Sequence, residues 1–194
     1  STFYSPAILD DFHSFVHERN VHISEWSVSS LVQLTKTVFG WNRWLPMISF
    51  SVDLSIGKGD ILYFHLTNLL IHLFCFVALI SLAFNLLKTL EHQDACLDMP
   101  CSLLAVLMGG LWALHPVQTN AVTYLVQRMA SMQACFFIAS VSFYTLGRRR
   151  HILSGNAVKA VPFYLASLIA AAGAFLSKEN AAMLPAILLV TEVW

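Results

Sequence analysis

Two adjacent carboxylates, Asp10 and Asp11, precede His13 in the stretch Leu9-Asp10-Asp11-Phe12-His13-Ser14-Phe15. Beside a bilayer, such a group can accept a proton from a hydroxyl or grip a cation, at a desolvation cost that plain scaffold has no reason to carry. Acid pairs also cap helices or simply face water. A second set of ionisable residues, Arg43, His115, Arg128, Lys178 and Glu179, lies at the margins of apolar runs. Cations of this kind suit a leaving phosphate on which charge builds, and a nearby acid suits the proton of an incoming hydroxyl. The same residue types also serve as snorkelling or paired interface charges in a transporter or an assembly subunit.

The elements that position these groups follow from composition. Of 194 residues, 57% are hydrophobic and only 11% charged, against about 45–50% and 25% in soluble domains. An all-α, polytopic membrane helix bundle of about four to five transmembrane helices is expected. Eleven basic and eleven acidic residues cancel, and no long Lys/Arg cluster points to a nucleic-acid partner. The cysteines at 75, 96, 101 and 135 show no Cys-x-x-Cys spacing. Cys96 and Cys101 are close enough in sequence to pair, free thiols are the simpler reading, and no metal site is assigned. The absence of an initiator Met and the ending within an apolar run suggest a piece of a larger protein.

Residues 1–60 contain no apolar run of about 18 residues and are expected to lie outside the hydrocarbon. Trp26, Trp41 and Trp44 favour the headgroup zone, with 27–38 as a short interfacial helix and 43–46 turning the chain toward the bilayer. Residues 61–194 then form the bundle, with spans near 61–87, 101–116, 129–147, 161–176 and 181–194 onward. The first has no Asp, Glu, Lys or Arg in 27 residues. On it, His65, Asn68 and His72 fall along one stripe that must face protein or a wet cavity. Pro116 ends or kinks the second run. If the third span began at 117, Arg128 would sit about 16 Å deep, whereas residues 129–147 alone extend about 28 Å. Arg128 is therefore expected at the interface, preceded by a half-buried helical turn. Ala170 to Gly173 suit close helix packing.

Arg148-Arg149-Arg150, with Lys159, is the concentrated positive loop of the chain, and the positive-inside bias makes it cytoplasmic. Counting spans backward puts residues 1–60, the 115–128 turn and the 177–180 turn together on the opposite, extracytoplasmic face.

The run from His115-Pro116-Val117-Gln118-Thr119 through Gln127-Arg128-Met129-Ala130-Ser131 resembles the His-Pro-x-x-Thr signature of bacterial membrane proteins that carry tetratricopeptide repeats. These are relatives of the transmembrane and tetratricopeptide-repeat O-mannosyltransferases, with a GT-C glycosyltransferase fold. Segments 63–72 and 176–185 are similar to other parts of the same family in the same order. By that resemblance, Asp10-Asp11-Phe12-His13 is similar to the Asp-Glu-x-His element of the protein O-mannosyltransferases. The resemblance implies sugar transfer from a polyprenyl-phosphate donor to a hydroxyl acceptor, such as a protein, at the outer face of a bacterial inner membrane. It implies Asp10 as base; Asp11 and His13 are then expected to orient the acceptor, and the cations gathered on the same face, Arg128, Arg43, His115 and Lys178, to lie near the donor phosphate. It also implies spans and a repeat domain outside this chain. No cofactor is assigned beyond the lipid-linked donor, and a divalent metal is left open. Asn120 and Met129-Ala130-Ser131 depart from the family pattern where many relatives carry an acid. A non-catalytic membrane subunit and a transporter are the rival expectations.

Overall fold

The computed structural model describes residues 27–34, 43–92 and 99–193. These form α1 (Val28–Gln33), α2 (Trp44–Gly57), α3 (Ile61–His92), α4 (Cys101–Ala113), α5 (Thr119–Thr123), α6 (Arg128–Ser154), α7 (Val161–Phe175) and α8 (Leu184–Val193), joined in places by 3-10 turns. No strand occurs among the described residues, as an all-α chain requires.

Two segments, Ile61–His92 and Leu125–Ser154, are long and apolar enough to cross a membrane. At 32 residues, α3 is about 48 Å long, well beyond the ~30 Å of a hydrocarbon core. A third crossing is available if α4 and the Pro116–Thr123 segment count as one span bent by 58°. The bend has a local cause. A proline clashes with a helical residue before it, and His115 accordingly takes an extended conformation, φ −64° and ψ 133°. Tyr124 is extended too, at φ −94° and ψ 111°, and breaks the chain again before α6. The remaining apolar helices are shorter, with α7 at 15 residues and α8 at 10.

The region expected as external loop holds a helix of its own. Instead of merely turning at residues 43–46, the chain starts α2 there, because Pro46 falls in the first turn, where a missing N–H leaves no intrahelical bond unmade. Met47 and Phe50 of α2 then pack with Phe64, Leu125, Met129 and Leu34 in a buried cluster. Trp44 donates its indole N–H to the Leu31 carbonyl at 2.9 Å, tying α1 to α2. Ser27 caps α1 by accepting from the Ser30 amide.

Helices α3 and α6 run parallel, with Phe64 beside Arg128 at one end and Ser81 beside Ser142 further along. Helix α7 returns antiparallel to α6, since Gly147 meets Phe163 and Tyr164 while Gly173 meets Phe136. A Cβ at Gly173 would lie 2.9 Å from Phe136 Cδ1, so the glycine sets the approach distance there. Buried Ser140 and Ser167 bond to each other's backbone carbonyls across the same interface, at 2.9 and 2.8 Å.

Candidate functional site

The polar stripe of α3 has a structural task created by the Pro116 break. The ends of α4 and α5 leave carbonyls without intrahelical partners. His72 Nε2 lies 3.1 Å from the Ala113 carbonyl, and His65 Nδ1 and Asn68 Nδ2 lie 3.2 and 3.3 Å from that of Val122. A carbonyl can only accept, so each imidazole must carry its proton on the nitrogen facing it. His72 also stacks on Trp112 at 5.3 Å. All three side chains are buried, and the stripe faces protein, as its spacing required.

Arg128 is the first residue of α6 and is wholly shielded from solvent. Its guanidinium has partners on two other helices. Nε donates to Asn68 Oδ1 at 2.6 Å and Nη2 to the Phe64 carbonyl at 2.8 Å, both on α3, while Nη1 donates to Ser49 Oγ of α2 at 3.2 Å. Nη2 also lies 2.7 Å from Asp53 Oδ2 of α2. That ion-pair contact lacks the alignment of a hydrogen bond, since Oδ2 accepts none; the other carboxylate oxygen takes the Thr67 hydroxyl at 2.7 Å. The guanidinium Cζ lies over the Phe50 ring, 4.3 Å from its centroid, and over that of Phe64 at 5.6 Å. A buried cation needs this degree of pairing to offset its desolvation. For a ligand phosphate to reach Arg128, the network would have to open.

The sequence reading missed Asp53, along with Ser49, Phe50 and Thr67. Asp53 is the lone acid in the apolar stretch from Trp44 to Gly57, and such an acid calls for a buried cation. What hid it was the assignment of this stretch to an external loop, where an acid would simply be solvated.

Arg43 sits just outside this network, at the start of α2. Its Nη2 reaches Glu179 Oε1 at 3.0 Å and its Nη1 contacts Met129 Sδ at 3.6 Å, next to Arg128. The Leu45 amide donates to the Leu176 carbonyl at 3.1 Å, which fixes the α2 start against the end of α7. Lys178, partly buried, adjoins Glu179 in the same turn. Hydrogen bonding from its own backbone amide, and then from Arg43, holds the Glu179 carboxyl below the usual range. Glu179 is about half exposed, so this pair meets solvent while the Arg128 pair does not.

The described residues thus bring Arg43, Lys178 and Glu179 together, next to Arg128. His115 is exposed, and its Nδ1 accepts from the Val117 amide at 3.2 Å. No hydrogen bond or ion pair among the described residues links it to Arg43, Arg128 or Lys178. Asp10, Asp11, His13 and Cys96 lie outside the described residues, and Cys101 is a free thiol. Among the described residues, no three His, Cys, Asp or Glu side chains converge as a metal site. No protein-family model, no curated protein and no solved structure matches the chain.

Proposed function

We propose that the chain is part of a membrane glycosyltransferase of the GT-C type, moving a sugar from a polyprenyl phosphate to a hydroxyl acceptor at the extracytoplasmic face of a bacterial inner membrane. The observation that carries this reading is the solvent-facing group of Arg43, Lys178 and Glu179, which joins the α2 start to the α7–α8 turn. Two cations there suit a phosphate whose charge grows as the sugar departs. Helix α1, which follows the Asp10-bearing segment in sequence, is tied to the α2 start at this same end by the Trp44–Leu31 hydrogen bond. In this reading α4 with the bent segment, α7 and α8 complete a bundle of four to five spans, with the 148–150 arginines cytoplasmic.

Asp10 takes the acceptor's proton, with Asp11 and His13 orienting that hydroxyl. Arg43 and Lys178 hold the donor phosphate, and His115 lies at the rim. Arg128 acts indirectly, as a positioning residue that fixes α2 and thereby the place of Arg43. In the full-length protein, Asp10→Asn abolishes transfer of labelled sugar from a polyprenyl-phosphate donor while leaving the amount of folded protein unchanged. Transfer at the wild-type rate in that variant overturns the assignment.

One observation favours a second reading, a non-catalytic subunit of a larger membrane assembly. The most deeply placed cation, Arg128, has its guanidinium bound within the fold. A subunit of that kind shows no transfer in wild-type protein either, so the same assay separates the two.

A further inference from the structure

Two hollows join along the seam between α3 and α6, the first starting at Ile71 and Met132, about one turn beyond the Arg128 network, and the second reaching the end of the bundle opposite Arg43. One, of about 510 Å³, is walled almost entirely by apolar side chains, among them Phe74 and Val77 of α3 and Phe136, Ala139 and Phe143 of α6. The other, of about 620 Å³, continues it through Phe84, Asn85 and Leu146 to Arg149 and Arg150. Ser81 lines both, and it accepts a hydrogen bond from Ser142 at 2.9 Å where they meet. The lining residues recur every three or four positions on each helix, so the two hollows form one groove along parallel helices. From Ile71 to Asn85 the groove extends about 21 Å, longer than the ~15 Å that half of a hydrocarbon core occupies.

Its mouth is cationic. Arg148 pairs with Glu192, and Lys88 with Glu91, but neither Arg149 nor Arg150 has an ion-pair partner among the described residues. Arg149 also borders a third hollow, of about 390 Å³, whose lining includes Lys88, Arg148 and the acid Glu91, the last engaged by Lys88. One end of the groove offers charge to an anion, and the rest offers hydrocarbon to a chain.

We propose that the α3–α6 groove binds an anionic glycerophospholipid, its phosphodiester between Arg149 and Arg150 and one acyl chain along Phe84, Ser81, Val77 and Phe74. The charge complementarity at the mouth selects this occupant over a neutral lipid or an apolar protein helix, neither of which satisfies two unpaired arginines. The inference requires that the bundle lie in a membrane and is independent of the transferase reading.

The test uses purified full-length protein in a neutral detergent, with phosphatidylglycerol, phosphatidylcholine and inorganic phosphate as separate probes. Retention of lipid is read by native mass spectrometry and the shift in Tm by thermal unfolding. Phosphatidylglycerol is expected to be retained and to raise Tm, while the other two probes do neither. The double variant Arg149→Gln/Arg150→Gln is expected to bind phosphatidylglycerol about 30-fold more weakly. Ala139→Phe, which fills the apolar part and leaves the arginines in place, is expected to weaken binding as well. Lys159→Gln removes one charge at the same end away from the groove and is expected to leave binding unchanged. Equal retention of phosphatidylcholine, an equal effect of inorganic phosphate, or insensitivity to the double arginine variant overturns the proposal. So does an equal loss in Lys159→Gln, which would reduce the effect to general surface charge, or evidence from cross-linking that a protein helix fills the groove.

Discussion

Arg128 Nη2 lies 2.7 Å from Asp53 Oδ2, and both side chains are sealed from solvent. The two residues come from helices 75 positions apart in sequence, and the remaining donors of the same guanidinium reach Asn68 and Phe64 of α3 and Ser49 of α2. One side chain thus sets the mutual positions of α2, α3 and α6 at the end of the bundle that presents Arg43 and Glu179. Coulombic attraction alone seldom repays the desolvation of two charges. The Asn68, Ser49 and Phe64 contacts, together with the Phe50 ring, complete the compensation.

Asn68→Leu is expected to destabilise the protein by about 1–3 kcal/mol, the range for a buried hydrogen-bonding group left unpaired, and more if the charge on Arg128 dominates. The substitution strips two groups at once, Arg128 Nε and one of the donors to the Val122 carbonyl. Thermal unfolding of the full-length protein in detergent reads the loss. A neutral outcome would mean that water or another side chain replaces Asn68 in both places.

Gly147→Val tests the α6–α7 interface. Even a single Cβ at position 147 would lie 3.1 Å from Phe163 Cβ and 3.0 Å from Tyr164 Cε1, and the first of these neighbours is held close to its backbone. Overpacking of this kind costs about 1–3 kcal/mol. The expected signature is a lowered Tm, with Gly155→Val as a comparison that introduces no such clash but strains a left-handed turn of φ 60°. An unchanged Tm for Gly147→Val would show that the helices separate freely.

Acidification should loosen the Arg43–Glu179 tie. The Glu179 carboxyl sits below its ordinary value in the folded chain, so its contribution is complete above the unfolded carboxylate value and fades as pH falls through the lower, folded one. For a half-exposed pair the contribution is about 0.2–1 kcal/mol. Glu179→Gln is expected to remove that part of the acid slope in a Tm-against-pH series and to lower the neutral-to-alkaline limb evenly by the pair's contribution, with the two curves converging at acid pH. An unaltered acid slope would place the pair's strength at zero.

The helical elements with clear apolar signals were legible in the residues. The charge-free run from Ile61 announced α3, the His65, Asn68 and His72 stripe announced a buried face, and Pro116 announced the break. Arg128 was expected at the interface after a half-buried helical turn, and such a turn, Leu125–Gln127, does precede it at the start of α6. Its shielding was not legible, because the acid that holds it lies 75 residues earlier in a stretch whose aromatic content read as interfacial. Helix α2 itself was concealed for the same reason. Pro46 suggested a turn, and the stretch from Trp44 to Gly57 is too short to register as a span. The ends of the long helices also ran past their apolar cores, α3 to His92 and α6 to Ser154, since Lys, Arg and Glu are good helix formers once out of the hydrocarbon. Asp10, Asp11 and His13 rest on sequence resemblance alone.

The role of the Arg128–Asp53 pair as the tie beneath the proposed site is tested most directly by a double-mutant cycle on full-length protein. Unfolding free energies are compared for wild type, Asp53→Leu, Arg128→Met and the combined variant. Each single change should strand an uncompensated buried charge and cost about 3–5 kcal/mol, whereas the combined change, which strands no charge and leaves only Asn68 Oδ1 and the Thr67 hydroxyl without their partners, should cost about 1–3 kcal/mol, far less than the sum. Near-neutral single variants, or a combined loss equal to the sum of the two, would contradict it.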